Sequence, residues 1–194
     1  MASKEEQQHL NQALDDAAKQ GSLADIQHLL DRHADIDTRS TNLNTPLHSA
    51  SSRGHRQCIE LLLDRQADIN ARDYNKRSAL YFVSMNGHHQ CIELLLDRQA
   101  DIHARDAFKR LPLHYASSNG DHQSIELLLD RHADINACDA NNTTPLHYAS
   151  SNRHRQCIQT LLDHGADKTL LNVRLSLSLS LSLSLSRGMC EQLS

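Results

Sequence analysis

Apolar residues in this chain fall into short groups at helical spacing rather than into long runs. In one window Leu47 and Ala50 stand at i and i+3, and Cys58, Ile59, Leu62 and Leu63 follow as an inward stripe with Glu60 and Asp64 facing solvent. The pattern predicts a short helix, a turn and a longer helix. Thr45 suits the N-cap, and Pro46 suits the first helical position, where its missing N–H would have no partner anyway. Gly54 can adopt the positive φ that ends the first helix. The next segment, "QADINARDYNKR", mixes turn residues with few apolar ones and predicts a hairpin-like projection. A unit this small cannot bury its own apolar stripe, so it needs neighbours.

The neighbours are in the sequence. "TPLHSASSRGH" begins at Thr45 and "TPLHYASSNRH" at Thr144, with "SALYFVSMNGH" from Ser78 and "LPLHYASSNGD" from Leu111 between them, a period of 33 residues. "CIELLLDRQADI" is verbatim from Cys58 and from Cys91, and "ADI" recurs at Ala34, Ala67, Ala100 and Ala133, with "ADK" at Ala166. An array, not a single long-range core, follows from this. A degenerate first copy aligns Leu14 with Leu47, Ala17 with Ala50 and Gly21 with Gly54; it lacks Thr-Pro and carries Asp15, Asp16 and Lys19, as expected of a solvent-facing cap. At the other end of the array, Gln159 and Thr160 replace the Glu and Leu of the inner copies.

A 33-residue period with T-P-L-H-x-A, a Gly-His turn, a leucine-rich second helix and A-D-I before a projecting loop resembles the ankyrin repeat, over about residues 7–172. The resemblance implies an all-α repeat solenoid of helix-turn-helix-hairpin units. The segments are an N-terminal extension at 1–6, a degenerate capping repeat at 7–39, repeats at 40–72, 73–105, 106–138 and 139–172, and a low-complexity tail at 173–194. The family usually has glycine before the A-D pair and at the loop tip. This chain instead has His33, Gln66, Gln99 and His132 at the first place, and Leu43, Lys76, Lys109 and Asn142 at the second. Each such residue at positive φ costs on the order of 1 kcal/mol. "SALY" in the third repeat and Leu111 in the fourth mark a place for local opening.

Composition then narrows the function. The 20 basic and 24 acidic residues, a net charge of −4, are too balanced to imply nucleic acid or membrane from the total. The N-terminus has no apolar stretch, and nothing upstream of the tail approaches a run of about 18 apolar residues. The expected location is intracellular, cytoplasmic or nuclear. Cys58, Cys91 and Cys157 share one slot and read as small buried apolar residues, with Ser124 in the fourth copy and Cys138 and Cys190 outside it. The 14 histidines do not assemble a metal site: in the resembling family the imidazoles of His48, His114 and His147 tie the turns, and one repeat spacing is too wide for two ligands of one zinc. No phosphate loop, CxxC pair or HExxH occurs, which argues against catalysis and against a cofactor.

The repeats disagree mainly on one face. In the resembling family, partners are gripped by loop tips and the exposed side of the first helix. Those slots hold Arg39, Thr41, Asn42, Asn44 and Arg53, then Arg72, Tyr74, Asn75, Arg77, Met85 and Asn86. Arg105, Phe108, Arg110 and Asn119 follow in the fourth unit, and Asn141, Thr143 and Asn152 in the fifth. With Lys76 and Lys109 the middle of this face is basic and aromatic, the composition of interface anchors. The expected function is a non-catalytic scaffold or adaptor that binds a protein partner through an acidic or phosphorylated segment. The alternatives are a truncated or idle array without a dedicated partner, and the substrate-recognition part of a larger assembly such as a ubiquitin ligase. Asn70 and Asn136 stand in the Leu-x5-Asp-Ile-Asn context that many ankyrin proteins present to an asparagine hydroxylase, with Asp37 and His103 in the same slot.

Six Leu-Ser pairs run from Leu175 to Ser186. Strict alternation is a strand pattern with no partner strand here, and half of it is polar, so it is no transmembrane helix. Translation of a CT dinucleotide tract explains it without selection; a β-prone, self-associating segment is the other reading. The array is expected to be monomeric unless the tail self-associates.

Overall fold

The computed structural model describes residues 3–170. Ten α-helices follow in order: α1 (Lys4–Gln20), α2 (Leu23–Asp31), α3 (Pro46–Arg53), α4 (Arg56–Asp64), α5 (Ala79–Asn86), α6 (His89–Asp97), α7 (Pro112–Asn119), α8 (His122–Asp130), α9 (Pro145–Ser151) and α10 (Arg155–Asp163). A 3-10 turn covers Lys168–Leu170. Odd-numbered helices pack on one another to form an inner layer, and even-numbered helices form an outer layer. Among the described residues there is no strand, and no helix is long and apolar enough to cross a membrane. The Leu-Ser tail and Cys190 lie outside the described residues.

The helices end where the sequence says they should. α3 starts at Pro46 after Thr45, and Gly54 closes it at φ 71°. Once stacked, the apolar positions form one continuous core in which Leu47, Ile59, Leu62, Leu80, Ile92, Leu95, Leu113, Ile125 and Leu128 are fully enclosed. A side chain of this size contributes about 1.5–3 kcal/mol when buried. Leu63, expected to point inward, is only half-buried, because the second helix turns it to the rim of the stripe. Cys58, Cys91 and Cys157 are buried and unpaired, and burial pushes their thiols up, Cys157 to about 11. Ser51, Ser84, Ser117 and Ser150 repeat in the inner layer, enclosed and small enough for the helices to approach closely.

Two histidine positions join successive units. His48 Nδ1 accepts the Thr45 N–H at 3.1 Å, and its Nε2 donates to the Arg77 carbonyl of the next unit at 3.0 Å. His114 does the same with Leu111 and Thr143, at 3.1 and 3.2 Å. On the outer side, His55, His88 and His154 place their rings under the helix-ending glycine of the preceding unit and donate to the carbonyls of Lys19, Ser52 and Ser118. The ring of His88 would meet a Cβ on Gly54 at 2.6 Å, so glycine is needed there for space as well as for its φ.

The left-handed positions are as expected: His33, Gln66, Gln99 and His132 have φ of 66–70°, and Leu43, Lys76, Lys109 and Asn142 of 56–60°. A ninth, Arg153 at φ 60°, stands where other units have the helix-ending glycine. The first repeat needs one correction. Asp15 does not face solvent: it is buried, accepts the Ser49 hydroxyl at 2.5 Å and pairs with Lys19 at 2.7 Å. α1 also begins at Lys4, inside the segment set apart as an extension, with Ser3 and Glu6 closing a capping box.

Candidate recognition face

Three of the four projecting loops are each built on one buried aspartate; the first has Ser40 in that slot, its hydroxyl accepting the Asn44 N–H at 3.1 Å. Asp73 Oδ1 accepts the N–H groups of Asn75 and Arg77 at 2.9 and 2.8 Å; Asp106 and Asp139 hold Phe108 and Arg110, and Asn141 and Thr143, in the same way. The carboxylate thereby reinforces a tight turn that backbone bonds also close, the Asp73 N–H donating to the Arg77 carbonyl at 3.0 Å and the Lys76 N–H to that of Asp73 at 2.9 Å. Adjacent loops are stitched by backbone bonds, Tyr74 to Asn42, Ala107 to Asn75 and Ala140 to Phe108, each at 2.9–3.0 Å.

A second set of ties comes from arginine. Arg39 Nη1 donates to the Arg72 carbonyl at 2.9 Å, Arg72 Nη1 to the carbonyls of Lys76 and Arg105 at 2.9 and 3.2 Å, and Arg105 Nη1 to those of Lys109 and Cys138 at 2.7 and 2.9 Å. These guanidinium donors brace the loops from within. Their recurrence in one slot signalled it: the same residue at the same position in three units points to a job shared by all units, the inference that placed the cysteines in the core.

Four of the six aromatic residues line the inner helices, a role the sequence reading did not assign. Tyr81 meets Tyr115 edge-on at 4.3 Å and Phe82 at 5.0 Å, His48 meets Phe82 at 5.6 Å, and His114 meets Tyr148 at 5.8 Å. Phe82, Tyr115 and Tyr148 share one slot, and the Tyr115 and Tyr148 hydroxyls donate to Asp106 and Asp139 at 2.5 and 2.8 Å. Burial, then the neighbouring carboxylate, pushes both phenols above their ordinary range, so both remain donors.

The remaining candidates divide by exposure. Tyr74 is 76% exposed, Phe108 55% and Met85 41%, and Lys76 and Lys109 project from the loop tips. Arg53, Asn42, Asn119 and Asn141 are also exposed, and Asn75 is half-buried. Asn86 and Asn152 are exposed too, but their Nδ2 groups donate to the Ser52 and Ser118 carbonyls of the preceding unit at 3.1 and 2.8 Å. Asn70 and Asn136 sit behind the loops, each Oδ1 accepting the N–H of Asp101 or Asp167 in the next unit at 3.0 or 2.9 Å, as Asp37 does for Asp68 at 3.1 Å. The outer helices carry a separate electrostatic row: Arg65, Arg98 and Arg131 pair with Asp31, Asp64 and Asp97 of the preceding unit at 3.2, 2.7 and 2.8 Å.

A family model described as ankyrin repeats (3 copies) matches residues 14–106 and 100–172. No curated protein matches the chain.

Proposed function

Because the chain belongs to the ankyrin-repeat family, a family of protein–protein interaction domains, we propose that it is a non-catalytic adaptor whose loop tips and inner helices grip an acidic or phosphorylated segment of a partner, centred on the third and fourth repeats. One observation carries this. The fold uses four of its six aromatics and most arginines of this face for its own bracing, yet leaves Tyr74, Phe108 and Met85 in solvent, with Lys76 and Lys109 exposed in the same loops as the two rings. Exposed aromatics on a rigid scaffold are the usual anchors of an interface, and truncating one costs upward of about 1 kcal/mol of affinity.

The test is a quantitative pull-down from lysate of the source organism with the full chain and with a Tyr74→Ser, Met85→Ser, Phe108→Ser variant. Apart from the Phe108 ring against Arg110 these side chains are exposed and none is enclosed in the core, so helicity should be unchanged by circular dichroism. Reversing Arg72, Arg77, Arg105 and Arg110 is a poorer test, since it would remove the braces of the loops. The expected result is a partner captured by the parent and lost, by about tenfold or more, from the variant. Identical capture by both proteins would leave an array without a dedicated partner on this face.

A further inference from the structure

The third and fourth repeats contain a built-in comparison. In the third, Arg77 is closely paired: its Nε donates to Asp73 Oδ2 at 2.7 Å, and its Nη2 lies 2.6 Å from the same oxygen. Phe82, in the inner helix opposite, has no hydroxyl to compete for that carboxylate. In the fourth repeat Tyr115 occupies the slot of Phe82 and donates its hydroxyl to Asp106 Oδ2 at 2.5 Å, while Oδ1 holds the Phe108 and Arg110 N–H groups. Arg110 Nε is left 3.5 Å from Oδ2, enclosed and without a hydrogen-bond partner among the described residues.

The Arg110 guanidinium is nevertheless held in place. Its carbon lies 4.6 Å from the centre of the Phe108 ring and 5.0 Å from that of Tyr115, with the Tyr148 hydroxyl beside it. Asp106 still balances its charge at a distance, but the N–H fork is not matched by a carboxylate as that of Arg77 is. Planar pairs of N–H donors fit the paired oxygens of a carboxylate or phosphate. Lys109 projects next to it, and the exposed Phe108 ring can meet an apolar residue beside the anion.

We infer that Arg110, whose side chain is 24% exposed although its Nε is enclosed, is the anion-accepting residue of the recognition face, taking a carboxylate or phosphate group of the partner polypeptide, and that the choice of Tyr115 over phenylalanine is what keeps Asp106 from engaging it as Asp73 engages Arg77. This rests on the adaptor reading above. Arg77, one repeat away, is the matched control with its donors engaged.

The test uses the full chain and two free anions, inorganic phosphate and acetate, with side-chain arginine N–H resonances followed by NMR. A saturable shift at Arg110 with Arg77 unmoved is expected for at least one anion, and the stronger of the two ranks phosphate against carboxylate. Tyr115→Phe copies the third repeat, returning Asp106 to Arg110, and should weaken the response on the order of tenfold. Phe82→Tyr should make Arg77 respond. Equal shifts at both arginines, no shift at either, or a response untouched by Tyr115→Phe would each overturn the inference. Because the probes are free anions, a silent Arg110 leaves the pull-down result standing. A Tyr115→Phe protein that captures the partner undiminished would remove Arg110 from recognition without touching the aromatic anchors.

Discussion

His48 and His114 each accept a backbone N–H on Nδ1 and donate from Nε2, so only the neutral ring with its proton on Nε2 satisfies both bonds. His147 accepts the Thr144 N–H in the same way. Burial, above all, lowers the pKa of all three from the ordinary 6.5. An unfolded chain takes up these protons as pH falls through about 6.5, whereas the folded chain resists until its lower pKa values are reached; stability is therefore full above that point and declines below it. Thermal melts followed by circular dichroism should show a midpoint that is steady from pH 7.5 to 7 and falls between pH 6.5 and 5. His114→Gln should lower the midpoint at pH 7.5, by about 1–2 kcal/mol of stability, and flatten the slope; a melt indifferent to pH down to 5 would refute this. The resemblance made these rings legible in the sequence. Tyr115 was not legible, because its meaning lies in a competition with Arg110 for one carboxylate, and linear order does not say which donors converge on Asp106. The same limit hid Asp15, whose partner Ser49 comes from the next unit.

Among pairs of elements, the junction of α5 and α6 with α7 and α8 differs from the others. Tyr81 fills the slot of the inner-helix histidines and makes no bond to the Arg110 carbonyl, and Asp121 fills the slot of the outer ones, where a carboxylate cannot donate to the Met85 carbonyl. Asn119 likewise makes no counterpart, among the described residues, of the Asn86 and Asn152 bonds. What this junction has instead is the His89–Asp121 pair at 2.7 Å, the Tyr81–Tyr115 contact and the shared arginine rows. "SALY" and the missing Thr signalled the place in the sequence, whereas the loss of three separate bridges at one seam required the stack. Native-state hydrogen exchange should find that this seam opens at lower free energy than the junctions on either side. Asp121→His, which restores the ring under Gly87 and its bond to Met85, should raise protection there selectively. Uniform protection across all four junctions would count against a seam.

For the molecule as a whole, fold and repeat count were readable because one pattern repeats with little variation. The partner was not, because its chemistry resides in the few side chains that break the pattern. The hydrogen bonds between units share a further property: each joins residues 29–36 apart, from His48 with Arg77 to His154 with Ser118, so each is a relation between neighbouring copies. Removing residues 73–105 would set Asp106 after Arg72 and give Arg72 the carbonyls that Arg105 now uses, and His48 that of Arg110. Such a chain should melt cooperatively, less stable by one unit and one interface. Removing residues 73–88 alone should abolish a cooperative melt, and equal behaviour of the two deletions would show that register is unimportant. Length in this architecture is thus a variable that unequal recombination can change by whole copies without redesigning any joint. Each event would shorten or extend the reach along a partner by a step of about 8–10 Å, the spacing of packed helices.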